Sequence, residues 1–460
     1  MKAFHTAITR RLSVAPRRAV DPTNTESSLA AFGSGALLAR ASLMSALRLP
    51  GFVPCAKFAL AFGANGARSA NPAYNLAGRG VLAVAQRLVE GTFVAGESLD
   101  DALRLAERLE AERGVGVLID HSVEDAVDLG ANRARKARLV DAVPAGAMVP
   151  LKATALADVA MLEELSDLVA RADDPDAARL DGALADRLDS SHAYAEAVDC
   201  LAALGEAAGR RGVALLLDAE RTPIQPAVDH VALAVLRRFA GAPRPALYNT
   251  YQCYLAGSGR RLRLDEAACA AAGAPFGAKV VRGAYLADER PTGKVRESKA
   301  ATDAAYDAAL ASMLGAAAAG RPAFLVAATH NPDSAAKAVD ALDELGLRRD
   351  DERVAFAQIL GMCDTLTAAL AAAGCRQGSK RERNSQLQRL RSRPFSTRCR
   401  ARKLVLYGAF DDVAPWIARR LDENKDALGA PIAENALLWR ELRRRAFGRT
   451  AAASPADLAP

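Results

Sequence analysis

Residues 212–220 read GVALLLDAE. The aliphatic positions leave no face for water, so the run fits a strand covered on both sides, as in a parallel sheet under helices. It then breaks off at Asp218, with Glu220 just beyond. Seven other runs share this form: GVGVLID (114–120), AMVPLKA (147–153), ALYNTYQCYL (246–255), AKVVRGAYL (278–286), AFLVAATHN (323–331), VAFAQILGM (354–362) and KLVLYG (403–408). Helical patterns lie between them, among others at 225–239, 298–319, 332–345 and 364–373. Eight strand–helix repeats in one chain predict an α/β protein built as a (β/α)8 TIM-type barrel. The alternative is an open, doubly wound sheet. Neither GSGALL (33–38) nor GSGRRL (257–262) supplies the third glycine of a dinucleotide fingerprint, however.

Two segments interrupt the rhythm. Residues 154–211 exceed what one connecting helix needs, which predicts extra helices inserted after the second strand. Residues 376–402 (RQGSKRERNSQLQRLRSRPFSTRCRAR) are basic, poor in apolar residues and without a helical stripe, a composition that does not build a core. The domain reading is a targeting segment over 1–40, a helical region over 41–113, the barrel over 114–450 with the basic insert at 376–402, and a tail over 451–460.

The net charge of +7 is unevenly placed. Residues 1–20 contribute +5 and residues 376–403 contribute +10, leaving −8 for everything else. An acidic body gives no support for nucleic-acid binding. The seven cysteines form no C-x-x-C pair, which fits a thiol-keeping compartment, and the five histidines are scattered, so no metal site is expected. The start, MKAFHTAITRRLSVAPRR, is basic, hydroxyl-bearing and free of acid, as in a mitochondrial transit peptide. Arg40, Arg48 and Lys57 interrupt the best apolar stretch, so no spanning helix is expected.

In such a barrel the chemistry sits at the carboxyl ends of the strands. Those ends carry Lys152, Asp218 with Glu220, Asn249 with Gln252, Arg282 with Tyr285, Thr329-His330-Asn331, and Gln358. Taken singly, each has a structural reading: a snorkelling lysine, a helix-cap neighbour, an acceptor for a buried arginine. Together on one rim they describe a polar site. PWIARRLDEN (415–424) follows the eighth run on a helical pattern. Arg419 and Arg420 there would approach one anion from two sides, as paired guanidinium groups do with a carboxylate. No nucleophile–base pair stands out, so a bound cofactor would have to carry difficult chemistry.

At these residues the chain resembles the proline dehydrogenase family of flavoenzymes, whose fold is a distorted (β/α)8 barrel. LLLDAE, NTYQCYL, KVVRGAYL, ATHN, FAQILGMCD and RRLDEN occur in the family's order between about 114 and 447. The resemblance implies oxidation of L-proline to pyrroline-5-carboxylate with FAD, electrons passing to a quinone. It also implies a mitochondrial location, on the matrix side of the inner membrane, with peripheral membrane contact. Arg419, Arg420 and Lys152 would hold the proline carboxylate, with Asp218 ordering that cluster. Asn249 and Lys279 would contact the flavin ring. Gly283, Ala284, Tyr285, Thr329, His330 and Asn331 would line the rest of the FAD site. Glu423 would reach the ribityl chain or support the arginines, and Glu124 would pair with an arginine to close the site. Two departures stand out. Where the family commonly has a substrate-facing tyrosine on the eighth strand, this chain has Leu404, which opens space for 4-hydroxyproline or another cyclic imino acid. The basic insert has no family counterpart; it is either a tolerated surface loop or unspliced sequence, and it would leave an inactive barrel if it displaced the eighth strand. A Schiff-base lyase using Lys152 is the remaining enzymatic alternative.

Overall fold

A computed structural model of the chain describes residues 20–30, 32–49, 51–121, 128–374, 400–410, 413–414, 416–417 and 429–448. Its centre is a closed barrel of eight parallel strands in sequential order. They are β1 (Gly116–His121), β2 (Met148–Leu151), β3 (Ala214–Leu217), β4 (Leu247–Gln252), β5 (Phe276–Val281), β6 (Ala323–Ala328), β7 (Val354–Ile359) and β8 (Ala401–Tyr407). Each falls within or beside one of the eight apolar runs, and closure excludes the open sheet. β8 starts two residues before KLVLYG and pairs with β7 from Phe356↔Ala401 and with β1 through Leu118↔Leu404. Arg400, Ala401 and Arg402 therefore belong to the barrel rather than to the basic insert. Arg400 donates to Asp350 O (3.0 Å), and Arg402 to Gly146 O (2.6 Å). Residues 375–399 lie outside the described residues.

Side chains alternate between the two faces of each strand. Leu118, Met148, Leu216, Tyr248, Phe324, Val326, Ala355 and Ala357 fill the barrel's interior, with Leu404 packed against them. The other parity, including Val117, Leu215, Leu217, Tyr251, Ala278, Leu325 and Val405, packs outward against the helices. Double burial is why these strands are apolar at nearly every position. At the head of GVALLLDAE, Gly212 ends the helix Ser191–Arg211 with φ +66 and turns the chain into β3.

The helices match their patterns to within a residue: Gln225–Arg238, Lys299–Ala318, Pro332–Glu344 and Asp364–Gly374. Ser298 and Asn331 cap the second and third through their side chains. Between β2 and β3 lie Val159–Ala170, Pro175–Leu180, a 3-10 turn at Gly182–Arg187, and Ser191–Arg211, the extra helices expected there.

The amino-terminal reading needs correction. Structure begins well before residue 40: Leu29, Phe32, Leu37 and Ala41 are buried against Leu438 of the helix Gly429–Phe447. These contacts tie Leu29, Phe32 and Leu37 into the folded body, so the structured part starts before residue 40. Two further helices, Phe52–Ala67 and Pro72–Val89, form a hairpin. A Cβ on Gly78 would come within 2.5 Å of Ala67 N, so glycine there permits the close approach.

Candidate functional site

The strand parity decides which polar residues face the mouth. In β5, Lys279 aligns with Thr250 of β4 and with Val326 of the inner layer, so it points inward. Asp218 follows β3 two residues after inward-facing Leu216. The two meet: Lys279 Nζ donates to Asp218 Oδ1 at 2.6 Å, with side chains 15% and 31% exposed. This half-buried pair is a charge-assisted contact that water still reaches.

Around it the rims of β2 to β5 are tied together through Glu220, which is 8% exposed. Thr154 Oγ1 donates to Glu220 Oε1 (3.0 Å), and Tyr285 Oη donates to Oε2 (3.2 Å). Gln252 Nε2 donates to Glu220 O (2.9 Å), while Gln252 Oε1 accepts from Tyr254 Oη (3.1 Å) and Ala284 N (3.2 Å). Burial raises the Glu220 pKa above the ordinary carboxyl value, and Asp218 adds to this. Thr154, Lys152 and Tyr285 pull the other way. Lys152, directly after β2, is partly buried and near enough for its charge to act on Glu220.

Beyond β5 the rim takes a different form. Gly283 and Ala284 are exposed. Gly283 adopts φ +141, and a Cβ there would fall 1.3 Å from Tyr254 Cε1, so the backbone runs directly over that ring. Arg282 is held from behind: it donates to Asp303 Oδ1 (2.6 Å), Thr329 Oγ1 (2.8 Å) and Ser334 Oγ (2.9 Å), with its guanidinium 4.4 Å from the Tyr306 ring centre. Thr329 Oγ1 also accepts from Asn331 N (3.0 Å). His330 Nε2 accepts from Ile359 N (3.0 Å), which assigns the ring proton to Nδ1. Asn331 caps the helix Pro332–Glu344, accepting from Asp333 N and Ser334 N.

Inside this rim, Val281, Ala328, Ile359 and Leu404 are the partly accessible inward side chains of β5 to β8, next to Lys279. Accessible apolar side chains with a cation at their edge would form an apolar slot suited to a flat ring system carrying an electron-rich edge. The fit of a flavin rests on that donor set.

Among the residues expected at the site, the structure brings Lys152, Asp218, Lys279, Gly283, Ala284, Tyr285, Thr329, His330, Asn331 and Leu404 to one end of the barrel. It does not bring Asn249. That residue has the outward parity of Leu217 and Ala278, is 1% exposed, and donates from Nδ2 to Asp229 Oδ1 (2.9 Å) on the helix behind. Thr250 and Gln252 hold the inward positions of β4. Arg419, Arg420, Glu423 and Glu124 lie outside the described residues. Sequence reasoning missed Thr154 and the pair of Asp120 with Lys136, whose Nζ also donates to Pro150 O (2.8 Å). Asp120 closes the first apolar run, a signal of the same kind that picked out Asp218.

A family model described as proline dehydrogenase matches residues 102–430. Hydroxyproline dehydrogenase of Mus musculus is 31% identical over 455 residues, covering 90% of this chain and 92% of that protein. Proline dehydrogenase 1, mitochondrial, of Homo sapiens is 35% identical over 249 residues, 53% of this chain and 37% of the relative. The Bos taurus protein of the same name is 34% identical, over 55% of this chain and 38% of its own length. The chain thus matches well under half the length of these last two. Among solved structures, proline utilization A from Bdellovibrio bacteriovorus, inactivated by N-propargylglycine, superposes with a TM-score of 0.63 at 17% identity. It covers 94% of this chain and 46% of that one, and the likeness is one of fold.

Proposed function

Because the chain belongs to the proline dehydrogenase family, we propose that it oxidises L-proline to pyrroline-5-carboxylate with FAD as cofactor and a quinone as acceptor. The observation that carries this reading is the Lys279–Asp218 pair at the edge of the apolar slot. FAD, when bound, supplies the two-electron acceptor for the hydride leaving the ring carbon next to nitrogen. Loss of that hydride and of the nitrogen proton leaves the C=N bond of the product.

The chain's own residues bind and orient. Lys279 holds a positive charge at the slot's edge, and Asp218 fixes its direction. Gly283 and Ala284 offer backbone without bulk, and Tyr285, Thr329, His330 and Asn331 shape the outer part of the cofactor site. Lys152, with Arg419 and Arg420, grips the substrate carboxylate end-on, so that the reacting carbon is placed rather than found by chance. Glu423 reaches the ribityl chain or supports the arginines. The mitochondrial names of two relatives support a mitochondrial location, with the matrix face of the inner membrane as the working position.

A second reading has its own observation. Leu404 stands in the barrel interior where a hydroxyl would narrow the substrate space, and the mouse relative covering most of this chain is named for hydroxyproline. One experiment addresses both. The purified full-length chain should be yellow and should bleach when L-proline is added without oxygen. Faster bleaching by trans-4-hydroxy-L-proline would move the substrate to the second reading; a colourless protein, or a flavin that neither imino acid reduces, would sink both.

A further inference from the structure

Residues 27–89 contain no Asp or Glu and six basic residues. Outside this segment and the two basic stretches already described, the chain carries a net −14. The same segment holds five of the eight large apolar side chains that are exposed among the described residues: Leu38, Leu49, Phe58, Leu76 and Val84. Phe58 and Leu76 are the most open of these, at 73% and 75%. They stand on the two helices of the hairpin, where Arg68, Arg79 and Arg87 are also exposed. Elsewhere the hairpin packs on the protein, with Leu82 and Ala85 against Phe410, Val413, Ala414 and Ile417. Large apolar groups displayed with cations, the exposed carboxylates Glu90 and Glu97 lying only where the second helix ends, mark an interaction surface, and the charge selects its partner.

The hairpin is fixed beside the barrel mouth. After Val89 the chain returns to the carboxyl end of β8, where Ala95 N donates to Leu406 O (2.8 Å) and Gly408 N to Gly96 O (3.2 Å). No helix among the described residues is long and apolar enough to cross a membrane. A bilayer contact of this hairpin would lie in-plane, with apolar side chains at the acyl boundary and arginines among headgroups.

We propose that the outer face of the Phe52–Ala67/Pro72–Val89 hairpin is a docking surface for an anionic phospholipid bilayer, which sets the barrel mouth against the lipid phase. This deepens the quinone-acceptor reading and rests on it for its purpose, while lipid binding itself is measured without turnover. The test is co-sedimentation of the full-length protein with phosphatidylcholine vesicles, with and without about 30% phosphatidylglycerol. Wild type should bind the anionic vesicles at least about tenfold more tightly than the neutral ones, and less well as salt rises. Phe58→Ser with Leu76→Ser, and separately Arg79→Gln with Arg87→Gln, should each lose most of that binding. Proline-dependent reduction of a soluble dye should stay at the wild-type rate. Equal sedimentation with both vesicle types, or variants that bind like wild type, would overturn the assignment. So would a wild-type dimer that the Phe58/Leu76 variant turns into a monomer, since a second copy would then cover the face. Loss of dye reduction in wild type would instead count against the dehydrogenase reading alone.

Discussion

Lys279 on β5 and Asn249 on β4 sit on adjacent strands and nearly level, yet they belong to different parts of the molecule. Lys279 faces the mouth and shares one carboxylate with water. Asn249 faces the helices and enters a dry network. There Asp229 accepts from Asn249 and from Gln225 Nε2 (2.8 Å), Arg261 lies 3.1 Å from Asp229, and Arg179 pairs with Asp265, which also accepts from Tyr251 Oη (2.7 Å). Asp229 and Asp265 are 0% exposed. Charged groups in the outer shell are buried against one another, and those in the mouth are open to solvent. One residue of register separates the two fates.

The largest effect should come from the outer shell. Asp265→Ala leaves the Arg179 guanidinium buried without its main partner, and breaking a buried pair in this way costs about 3–5 kcal/mol. Urea unfolding should show that loss, while KM for proline in the folded fraction stays at the wild-type value. A stable variant with a raised KM would place this network in the site and dissolve the contrast.

The mouth should answer in the opposite way. Lys279→Met removes a charged hydrogen-bond donor, worth about 1.5–3 kcal/mol, or roughly ten- to 150-fold in kcat/KM. Asp218 is exposed enough to be solvated, so the melting temperature should hardly move. Lys279→Arg should recover much of the rate. Arg419→Met and Arg420→Met should each raise KM by a similar factor if they grip the carboxylate; unchanged KM in both would remove them from the site.

This contrast also explains what the sequence made legible. The strands could be read because double burial forces aliphatic runs, and the mouth could be read because those runs end in charge. Asn249 was misplaced because NTYQ alternates polar and aromatic residues without saying which set faces in. Here Tyr248 fills the barrel interior while Asn249 satisfies an aspartate twenty residues upstream. Lys403 shows the same limit. It looks like the start of a strand, but it is 2% exposed on the outer face, donates to Ile359 O (3.1 Å) and Met362 O (2.6 Å), and forms an ion pair with Asp364 (2.9 Å). These three partners surround the buried ammonium group. They lie more than thirty residues away in the chain, beyond the reach of local patterning. Residues 20–40 failed for a related reason, since their burial depends on a helix four hundred residues downstream.

That terminal clasp offers the mildest test, one of pH. Glu441, on the helix Gly429–Phe447, has its carboxylate buried between Arg444 and Arg445, both donating at 2.8 Å. Burial alone would raise its pKa, but the bonds from Arg444, Arg445 and Thr25 together hold it down to about 2. Arg445 meanwhile donates to Leu29 O (2.7 Å) and Phe32 O (2.6 Å), so the same carboxylate anchors the amino-terminal segment. A depressed carboxyl pKa contributes stability above the unfolded value of 4.5, and that contribution fades as pH falls toward 2. Glu441→Gln should therefore be less stable than wild type at pH 6, with the gap narrowing by pH 3. Glu220 in the mouth is shifted the other way, so Glu220→Gln should not reproduce this pattern. If the Glu441→Gln gap stays constant between the two pH values, the arginines do not hold the charge. The outer shell would then be no better at fixing ionised groups than the mouth is.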